Sequence, residues 1–257
     1  MTDIAITRPP SASLARCELT YLERERIDID RARRQHASYE SLLESLGRRI
    51  VRLPQLDDQP DAVFVEDAAL VLDELAIVAP MGAASRRAEV PSMEAALAKF
   101  RPVLHLTPPA TLDGGDVLRI GRRVYVGLSR RTNETAVGQL TRMLRPYDYE
   151  VAGVSVGGAL HLKSACTAVS DDAVLANPAW LDLSAFSAME IVHTDPSEPW
   201  GASVLRVGDS LVMAAGFPRT AGLLRERGHR VELIDLSELR KAEGGPTCLS
   251  ILLTADP

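Results

Sequence analysis

Short apolar runs that flank tight polar turns recur along the chain and predict a series of β-hairpins. Polar turns such as Gly121-Arg122-Arg123 and Gly208-Asp209-Ser210 separate runs that are rich in valine, leucine and alanine. Two short apolar runs around such a turn are typical of an antiparallel pair of strands. The predicted pairs are 68–72 with 76–79, 116–120 with 124–127, 165–169 with 173–176, and 203–207 with 211–214.

Helical patterns fill the intervals between the hairpins. The segment from Ile29 to Leu46 carries apolar residues at helical spacing with polar faces between them. Proline is favoured in the first turn of a helix, and Pro91 and Pro218 each begin a segment of this kind. We therefore predict helices over 29–46, 91–100, 132–144 and 218–227.

The hairpins look like repeats of one unit. Val117-Leu118-Arg119-Ile120-Gly121 closely resembles Val204-Leu205-Arg206-Val207-Gly208, and successive hairpins begin roughly 40 to 50 residues apart. Pairing of the two chain ends, Ile4-Ala5-Ile6 and Ile251-Leu252-Leu253, would close a ring of five β-rich units. Because no linker or low-complexity segment divides the chain, we predict a single domain over residues 1–257.

Composition and charge narrow the range of partners. Of the 257 residues, 46% are hydrophobic and 25% charged, which is ordinary for a soluble globular protein. The net charge is −6, whereas nucleic-acid binding requires a basic face, so we expect no nucleic-acid partner. If the site is acidic, a small cationic substrate is favoured.

The cysteines and the start of the chain bear on its compartment. Cys17, Cys166 and Cys248 are too few and too widely spaced for a disulfide framework or a zinc motif. The first residues lack the pattern of a signal peptide, and no apolar run is long enough to span a membrane. We therefore expect no membrane association and a cytoplasmic protein with reduced thiols.

Cys248 is the first candidate for chemistry. It follows Gly244-Gly245-Pro246-Thr247 and precedes a short apolar run, so a fixed turn is expected to hold the thiol at the start of a strand. That position suits a nucleophile, although an inert terminal cysteine would give the same local pattern.

A histidine and two acidic segments are the next candidates. His161 lies in an apolar context at a predicted turn or strand entrance. Glu66 and Asp67 directly follow Val63-Phe64-Val65, which we interpret as a strand that ends at the rim of a sheet. Asp113-Gly114-Gly115-Asp116 is a second acidic turn, and its glycines would let a ligand approach the backbone. A structural histidine and solvated turn acids are the alternative interpretations.

Two arginine-rich segments, Ser85-Arg86-Arg87 and Ser129-Arg130-Arg131, follow predicted hairpins. Arginine can clamp a substrate carboxylate, and carboxylates can pair with a planar guanidinium at two edges. A substrate with a guanidinium at one end and a carboxylate at the other would explain both charge types. Solvated helix starts would explain the arginines equally well.

These segments together resemble the dimethylarginine dimethylaminohydrolases, a family of the amidinotransferase and arginine deiminase superfamily. The matching segments run in family order over nearly the whole chain and are specific only as a set. They are 60–67, 85–87, 111–118, 126–129 with 131–133, 160–164 and 244–250. The resemblance implies an α/β fold, namely a five-bladed α/β propeller (the pentein fold) of ββαβ repeats around a central active-site channel, and a single catalytic domain.

The resemblance also implies a role for each matched position. Cys248 matches the nucleophile, His161 the general acid and base, and Asp113 an acid that binds the guanidinium and orients the histidine. Arg86 and Arg131 match the arginines that hold the α-carboxylate, and Ala242 a backbone contact to the α-amino group. The remaining substrate-binding positions are Leu19 in a lid loop and the acids Asp61, Glu66 and Asp67.

The implied reaction converts N-ω-methylated arginine to citrulline and a methylamine through a covalent thiouronium on the cysteine. It needs no metal and no organic cofactor. Two departures from the family pattern, Glu243 in place of aspartate and a changed segment at 199–203, bear on the fine substrate preference. Two alternative functions stay open: an arginine deiminase or another guanidine-modifying enzyme, and a non-catalytic binder of cationic amino acids. For assembly, a homodimer stays open.

Overall fold

The computed structural model describes residues 3–254, and its strands are short. The strands are β1 (Ile4–Thr7), β2 (Arg49–Arg52), β3 (Leu70–Val71), β4 (Ala76–Val78), β5 (Val103–His105), β6 (Val117–Ile120), β7 (Arg123–Leu128), β8 (Glu150–Ser155), β9 (Cys166–Ala168), β10 (Ala173–Ala176), β11 (Glu190–His193), β12 (Val204–Val207), β13 (Ser210–Ala214), β14 (Arg230–Ile234) and β15 (Ile251–Leu253). The helices are α1 (Ile29–Ser45), α2 (Val90–Leu97), α3 (Glu134–Leu144), α4 (Leu162–Ala165), α5 (Pro218–Glu226) and α6 (Ser237–Arg240).

The described strands form five three-stranded sheets that share one topology. In each sheet the central strand pairs antiparallel with one neighbour and parallel with the other. A helix connects each parallel pair in four sheets, and the short 3₁₀ helix Leu183–Phe186 takes its place between β10 and β11. The predicted series of five β-rich units is therefore confirmed, with one departure from a strict ββαβ pattern.

The chain ends pair as predicted, because β1 and β15 are antiparallel with Ile4 opposite Leu253 and Ile6 opposite Ile251. The four predicted hairpins are also confirmed as β3–β4, β6–β7, β9–β10 and β12–β13. The predicted helices correspond to α1, α2, α3 and α5. Asn133 caps α3, since its side chain accepts the backbone N–H of Ala136.

The chain divides into two compact units. The first comprises residues 1–65 and 194–257, and it contains the sheets β15-β1-β2 and β12-β13-β14. The second comprises residues 66–193 and contains the other three sheets. The single catalytic domain over residues 1–257 stays a prediction.

Each unit has its own apolar core. In the first unit one cluster joins α1, through Tyr39 and Leu43, to Val212 of β13 and to Leu249 near the C-terminus. In the second unit one cluster packs α3 against the sheets of β4 and β7, and another surrounds Phe186 and Cys166. Among residues 3–254, no helix combines the length and the apolar character that crossing a bilayer would require.

One predicted strand is wrong. Val63-Phe64-Val65 forms a turn that leads into the 3₁₀ helix Val65–Ala68, and the N–H of Phe64 bonds to the carbonyl of Asp61. Val63 and Phe64 are apolar because they belong to the core of the first unit, not because they alternate in a sheet. Apolar runs of this length do not distinguish a strand from a buried turn.

Candidate active-site residues

His161 of the second unit lies in a buried acidic cluster. It immediately precedes α4 in an extended conformation and is 3% exposed. Its Nε2 lies 3.1 Å from Oδ2 of Asp113, and its Nδ1 lies 3.7 Å from Oδ1 of Asp67. The structure thus brings together three of the residues to which the sequence assigned chemistry.

Backbone N–H groups fix the two carboxylates, and a hydroxyl accepts the backbone N–H of Asp113. Asp113 Oδ1 accepts the N–H of Gly82 at 2.9 Å, and the N–H of Asp113 bonds to Oγ1 of Thr132 at 3.1 Å. Asp67 Oδ1 accepts the N–H of Gly115 at 3.2 Å. Because each carboxylate is held by a rigid backbone group, the cluster is pre-organised around the imidazole.

The glycines of the 113–116 turn are required by close packing. A Cβ at Gly115 would lie 2.6 Å from both Asp67 Oδ1 and His161 Nδ1. A Cβ at Gly114 would overlap the carbonyl oxygen of Glu66. The sequence suggested that these glycines admit a ligand, and in the structure they admit the side chains of the cluster itself.

The carboxylates set the charge of His161. Burial alone would lower the pKa of this imidazole, but the negative charge of Asp67 and the hydrogen bond of Asp113 outweigh it and raise the pKa to about 9. Conversely, burial would raise the pKa of Asp67, and the positive charges of His161 and Arg86 hold it below its usual value. The arrangement therefore keeps an imidazolium at neutral pH, ready to donate a proton.

Asp116 holds the backbone next to His161, a role that the sequence did not indicate. Its Oδ1 accepts the N–H of Leu162, the residue after His161, at 2.9 Å, and its Oδ2 accepts the hydroxyl of Ser129 at 2.6 Å. Burial raises the pKa of Asp116 to about 6, while the charge of His161 acts in the opposite direction. Its position one residue beyond the two glycines was the available signal.

Arg86 is engaged within the second unit. It is 4% exposed and pairs with Asp67 at 2.6 Å and with Glu89 at 2.8 Å. Glu89 was not singled out from the sequence, although its spacing of three residues from Arg86 on a helical segment suits an ion pair. The expected role of Arg86 as a carboxylate clamp stays a prediction.

Arg131 and Glu66 lie in different surroundings. Nη1 of Arg131 is buried and has no hydrogen-bond partner among the described residues, which suits a guanidinium that awaits an anion. The backbone of Arg131 packs so closely against Gly82 that a side chain there would overlap it. Glu66 pairs with Lys163 at 2.6 Å, and this lysine, two residues after His161, was also missed.

The three cysteines differ in environment. Cys17 and Cys166 are buried, and burial raises the pKa of the first thiol to about 11 and of the second to about 12. Cys248 is partly exposed. Since only a thiolate is an effective nucleophile, the environments favour Cys248 over the other two.

Cys248 lies in a turn that is held at both ends. The hydroxyl of Tyr39, from the buried face of α1, donates to the carbonyl of Pro246 at 2.8 Å and lies 2.7 Å from Oγ of Ser250. Oγ1 of Thr247 lies 3.7 Å from the thiol. Tyr39 lies in the segment that the sequence predicts as a helix, and nothing in its local sequence indicates this contact.

Two other predicted site residues of the first unit, Ala242 and Leu19, belong to or pack against the apolar cluster that contains Tyr39. Ala242 is part of that cluster, and Leu19 and Cys248 pack against it. Asp61 is buried and accepts the N–H of Glu18 at 3.1 Å. Among residues 3–254, no group of three or more histidine, cysteine, aspartate or glutamate side chains is arranged to hold a metal ion.

A family model and a curated relative both match this chain to the same family. The family model for eukaryotic N,N-dimethylarginine dimethylhydrolase matches residues 19–182. The chain is 41% identical over 251 residues to the N(G),N(G)-dimethylarginine dimethylaminohydrolase of Streptomyces coelicolor, which covers 97% of this chain and 96% of the relative.

Solved structures confirm the predicted fold class, the five-bladed α/β propeller. A cysteine-to-serine mutant of the Pseudomonas aeruginosa enzyme of this name, complexed with citrulline, superposes with a TM-score of 0.93 at 31% identity and covers 98% of this chain and 99% of that chain. The N-terminal domain of a cyanobacterial arginine dihydrolase reaches 0.90 at 20% identity and covers 100% of this chain and 99% of that chain, so it shares the fold.

Proposed function

The chain belongs to the dimethylarginine dimethylaminohydrolase family, and from that premise we propose that it hydrolyses N-ω-methylated arginine to citrulline and a methylamine. The observation that carries the proposal is the 41% identity to the Streptomyces coelicolor enzyme over nearly the full length of both chains. The complex of the related Pseudomonas aeruginosa mutant with citrulline agrees with the product.

The first chemical step is attack by Cys248 on the guanidinium carbon. Resonance and positive charge deactivate this carbon toward water, so a thiolate is the more effective nucleophile. A carbon–sulfur bond forms, the bond from carbon to the methylated nitrogen breaks, and the departing amine takes a proton from His161. The raised pKa of His161 supports this role, because the imidazole carries the required proton at neutral pH.

The second step is hydrolysis of the thiouronium. Neutral His161 now accepts a proton from water as the water adds to the same carbon. The carbon–sulfur bond then breaks and the remaining hydroxyl proton of the adduct passes to solvent, so citrulline leaves, the thiolate returns and His161 is again protonated. Asp113 holds the imidazole at Nε2 throughout, and its charge stabilises each protonated form.

The other matched residues bind the two ends of the substrate. We assign the guanidinium to Asp67 and Asp113, the α-carboxylate to Arg86 and Arg131, and the α-amino group to the backbone of Ala242. Asp61 and Glu66 are further substrate-binding acids, and Leu19 lies over the substrate. The unpartnered Nη1 of Arg131 supports its assignment, because a buried guanidinium nitrogen gains most from an anionic ligand. A small guanidine compound is thus the proposed partner.

A substrate panel tests the proposed function. Purified protein is incubated with arginine, monomethylarginine and both dimethylarginines, and the products are identified by mass spectrometry. We expect citrulline with methylamine or dimethylamine. If the protein released ammonia from unmodified arginine more efficiently than dimethylamine from dimethylarginine, it would be a deiminase. Binding of these compounds without any product would identify a binder.

Cys248→Ser is the matched control for the panel, since it exchanges one atom in a partly exposed residue. We expect it to abolish turnover and to leave the unfolding midpoint unchanged. Near-normal turnover by this variant would remove Cys248 from the mechanism. A cytoplasmic location and pairing with a second copy stay predictions, and sedimentation of the pure protein tests the second.

A further inference from the structure

The segment between the 3₁₀ helix Ala12–Arg16 and α1 contains neither helix nor strand, yet one side chain gathers its backbone. The N–H groups of Thr20, Tyr21 and Leu22 all point to Oε1 of Glu243, at 2.9, 2.5 and 2.7 Å. Successive backbone N–H groups that converge in this way form a concave site for an anion. Hydrogen bonds to a charged acceptor are stronger than neutral ones, so Glu243 is a strong anchor for the loop.

The backbone of Glu243 is adapted to this contact. Its φ is +60°, in the left-handed region that residues other than glycine rarely adopt. The other oxygen, Oε2, is buried and has no hydrogen-bond partner among the described residues. An unfavourable conformation and an unsatisfied oxygen persist only where surrounding contacts over-determine them, and such features cluster at functional sites.

A second carboxylate holds the start of the same loop. Asp61 accepts the N–H of Glu18 at 3.1 Å, so Leu19 lies between two anchored residues. Arg24 closes the loop on itself, because its guanidinium donates to the carbonyls of Ala15 at 2.9 Å and Cys17 at 2.6 Å. Leu19 packs on the same apolar cluster as Cys248.

We propose that Glu243 is a positioning residue, which fixes the loop 18–22 and thereby holds Leu19 over the bound substrate. We call the three hydrogen bonds from Thr20, Tyr21 and Leu22 to Glu243 the latch. The contact of Leu19 with substrate rests on the proposed function, whereas the latch rests on these hydrogen bonds alone.

Hydrogen exchange of the unliganded protein tests the latch without reference to activity. Glu243→Asp keeps the charge but shortens the side chain, and Glu243→Gln keeps the length but removes the charge. We expect exchange at residues 20–22 to be about tenfold faster or more in Glu243→Asp, and to rise less in Glu243→Gln, because the amide oxygen still accepts. Unchanged exchange in both variants would overturn the latch.

Glu238→Gln is the matched control, since Glu238 accepts the N–H of Asp28 at 2.9 Å at the far end of the same segment. This variant should increase exchange near residue 28 and leave residues 20–22 as in the wild type. If it releases residues 20–22 equally, the protection belongs to the whole segment and not to Glu243, which would contradict the proposal.

Kinetics test the consequence for substrate. With the best substrate of the panel, we expect KM to rise about tenfold in Glu243→Asp and less in Glu243→Gln, with a smaller change in kcat. A second measurement uses chloroacetamidine, a small amidine that alkylates thiols and lacks the amino-acid end. Its rate with Cys248 should change little, because it is too small to need the loop.

The outcomes separate the two proposals. Faster exchange with unchanged KM in Glu243→Asp would overturn the positioning role, although the latch would stand. Absence of turnover of any methylated arginine by the wild type would refute the proposed function, while the exchange data would still decide the latch. A large fall in the chloroacetamidine rate would show that Glu243 acts on the thiol turn, which also contradicts the proposal.

Discussion

Replacement of Asp113 by asparagine should lower the pKa of His161 and leave the fold intact. The change removes one negative charge 3.1 Å from Nε2 and keeps the shape of the side chain. The backbone bond from Gly82 to Oδ1 can be kept by the amide oxygen. The perturbation is therefore mainly electrostatic.

The size of the effect follows from the charge balance around the imidazole. The pKa of His161 rises from 6.5 to about 9 even though burial opposes the rise. That rise corresponds to about 3 kcal/mol in favour of the charged form. The carboxylates of Asp67, Asp113 and Asp116 supply this stabilisation of the charged form. Loss of Asp113 should therefore lower the pKa of His161 by at least about one pH unit, or about 1.4 kcal/mol.

The assay is an NMR titration of the histidine ring signals between pH 5 and about 10, the range that brackets the ordinary and the raised pKa of this imidazole. The chain has five histidines, and His161→Gln identifies the signal of interest by its loss. Asp73→Asn is the matched control, because Asp73 pairs with Arg119 and has no contact with the histidine. An unchanged pKa in Asp113→Asn, or a wild-type pKa at or below 6.5, would refute the electrostatic account.

Three further predictions rest on the contacts of His161, Gly115 and Tyr39. The charged form of His161 stabilises the fold fully below about pH 6.5, and this stabilisation is lost above about pH 9, so the free energy of unfolding should fall by about 3 kcal/mol across that range. In His161→Gln the free energy of unfolding should change less over the same range. Gly115→Ala should destabilise the protein by about 1–3 kcal/mol and reduce turnover, because the new methyl group would lie 2.6 Å from Asp67 and His161. Urea unfolding and initial rates measure the two effects, and no change in either would contradict the close packing at Gly115. Tyr39→Phe should cost about 1–3 kcal/mol in urea unfolding and slow alkylation of Cys248, since it frees both ends of the thiol turn, and unchanged alkylation would contradict its positioning role.

Local pattern predicted the repeated elements well. The hairpins, the four longer helices and the pairing of Ile4–Thr7 with Ile251–Leu253 were all expected from apolar periodicity and turn residues. Each of these features depends on residues that are close in sequence or on strands that would otherwise expose an edge. The 3₁₀ helix between β10 and β11 was not expected, because Leu183–Phe186 is too short to show helical periodicity.

The site could be predicted only in part. The resemblance supplied the candidate residues, and the structure brings Asp67, Asp113 and His161 into one cluster. The contacts that hold Cys248 and Leu19 were missed, because Tyr39 and Glu243 act through contacts more than 200 residues away in sequence, as their separations of 207 and 223 residues show. No local pattern encodes such contacts.

Covalent trapping on Cys248 tests the central claim most directly. Intact-mass and peptide measurements follow a His161→Gly variant mixed with S-methyl-L-thiocitrulline, whose methanethiol leaving group needs less help from an acid than an amine does. A histidine-to-glycine variant of a related enzyme has been crystallised as an adduct with this compound. We predict a stable mass gain of the reagent less methanethiol on the peptide that contains Cys248, and no gain when Cys248→Ser is added. Absence of the adduct, or the same gain without the Cys248 thiol, would contradict the account.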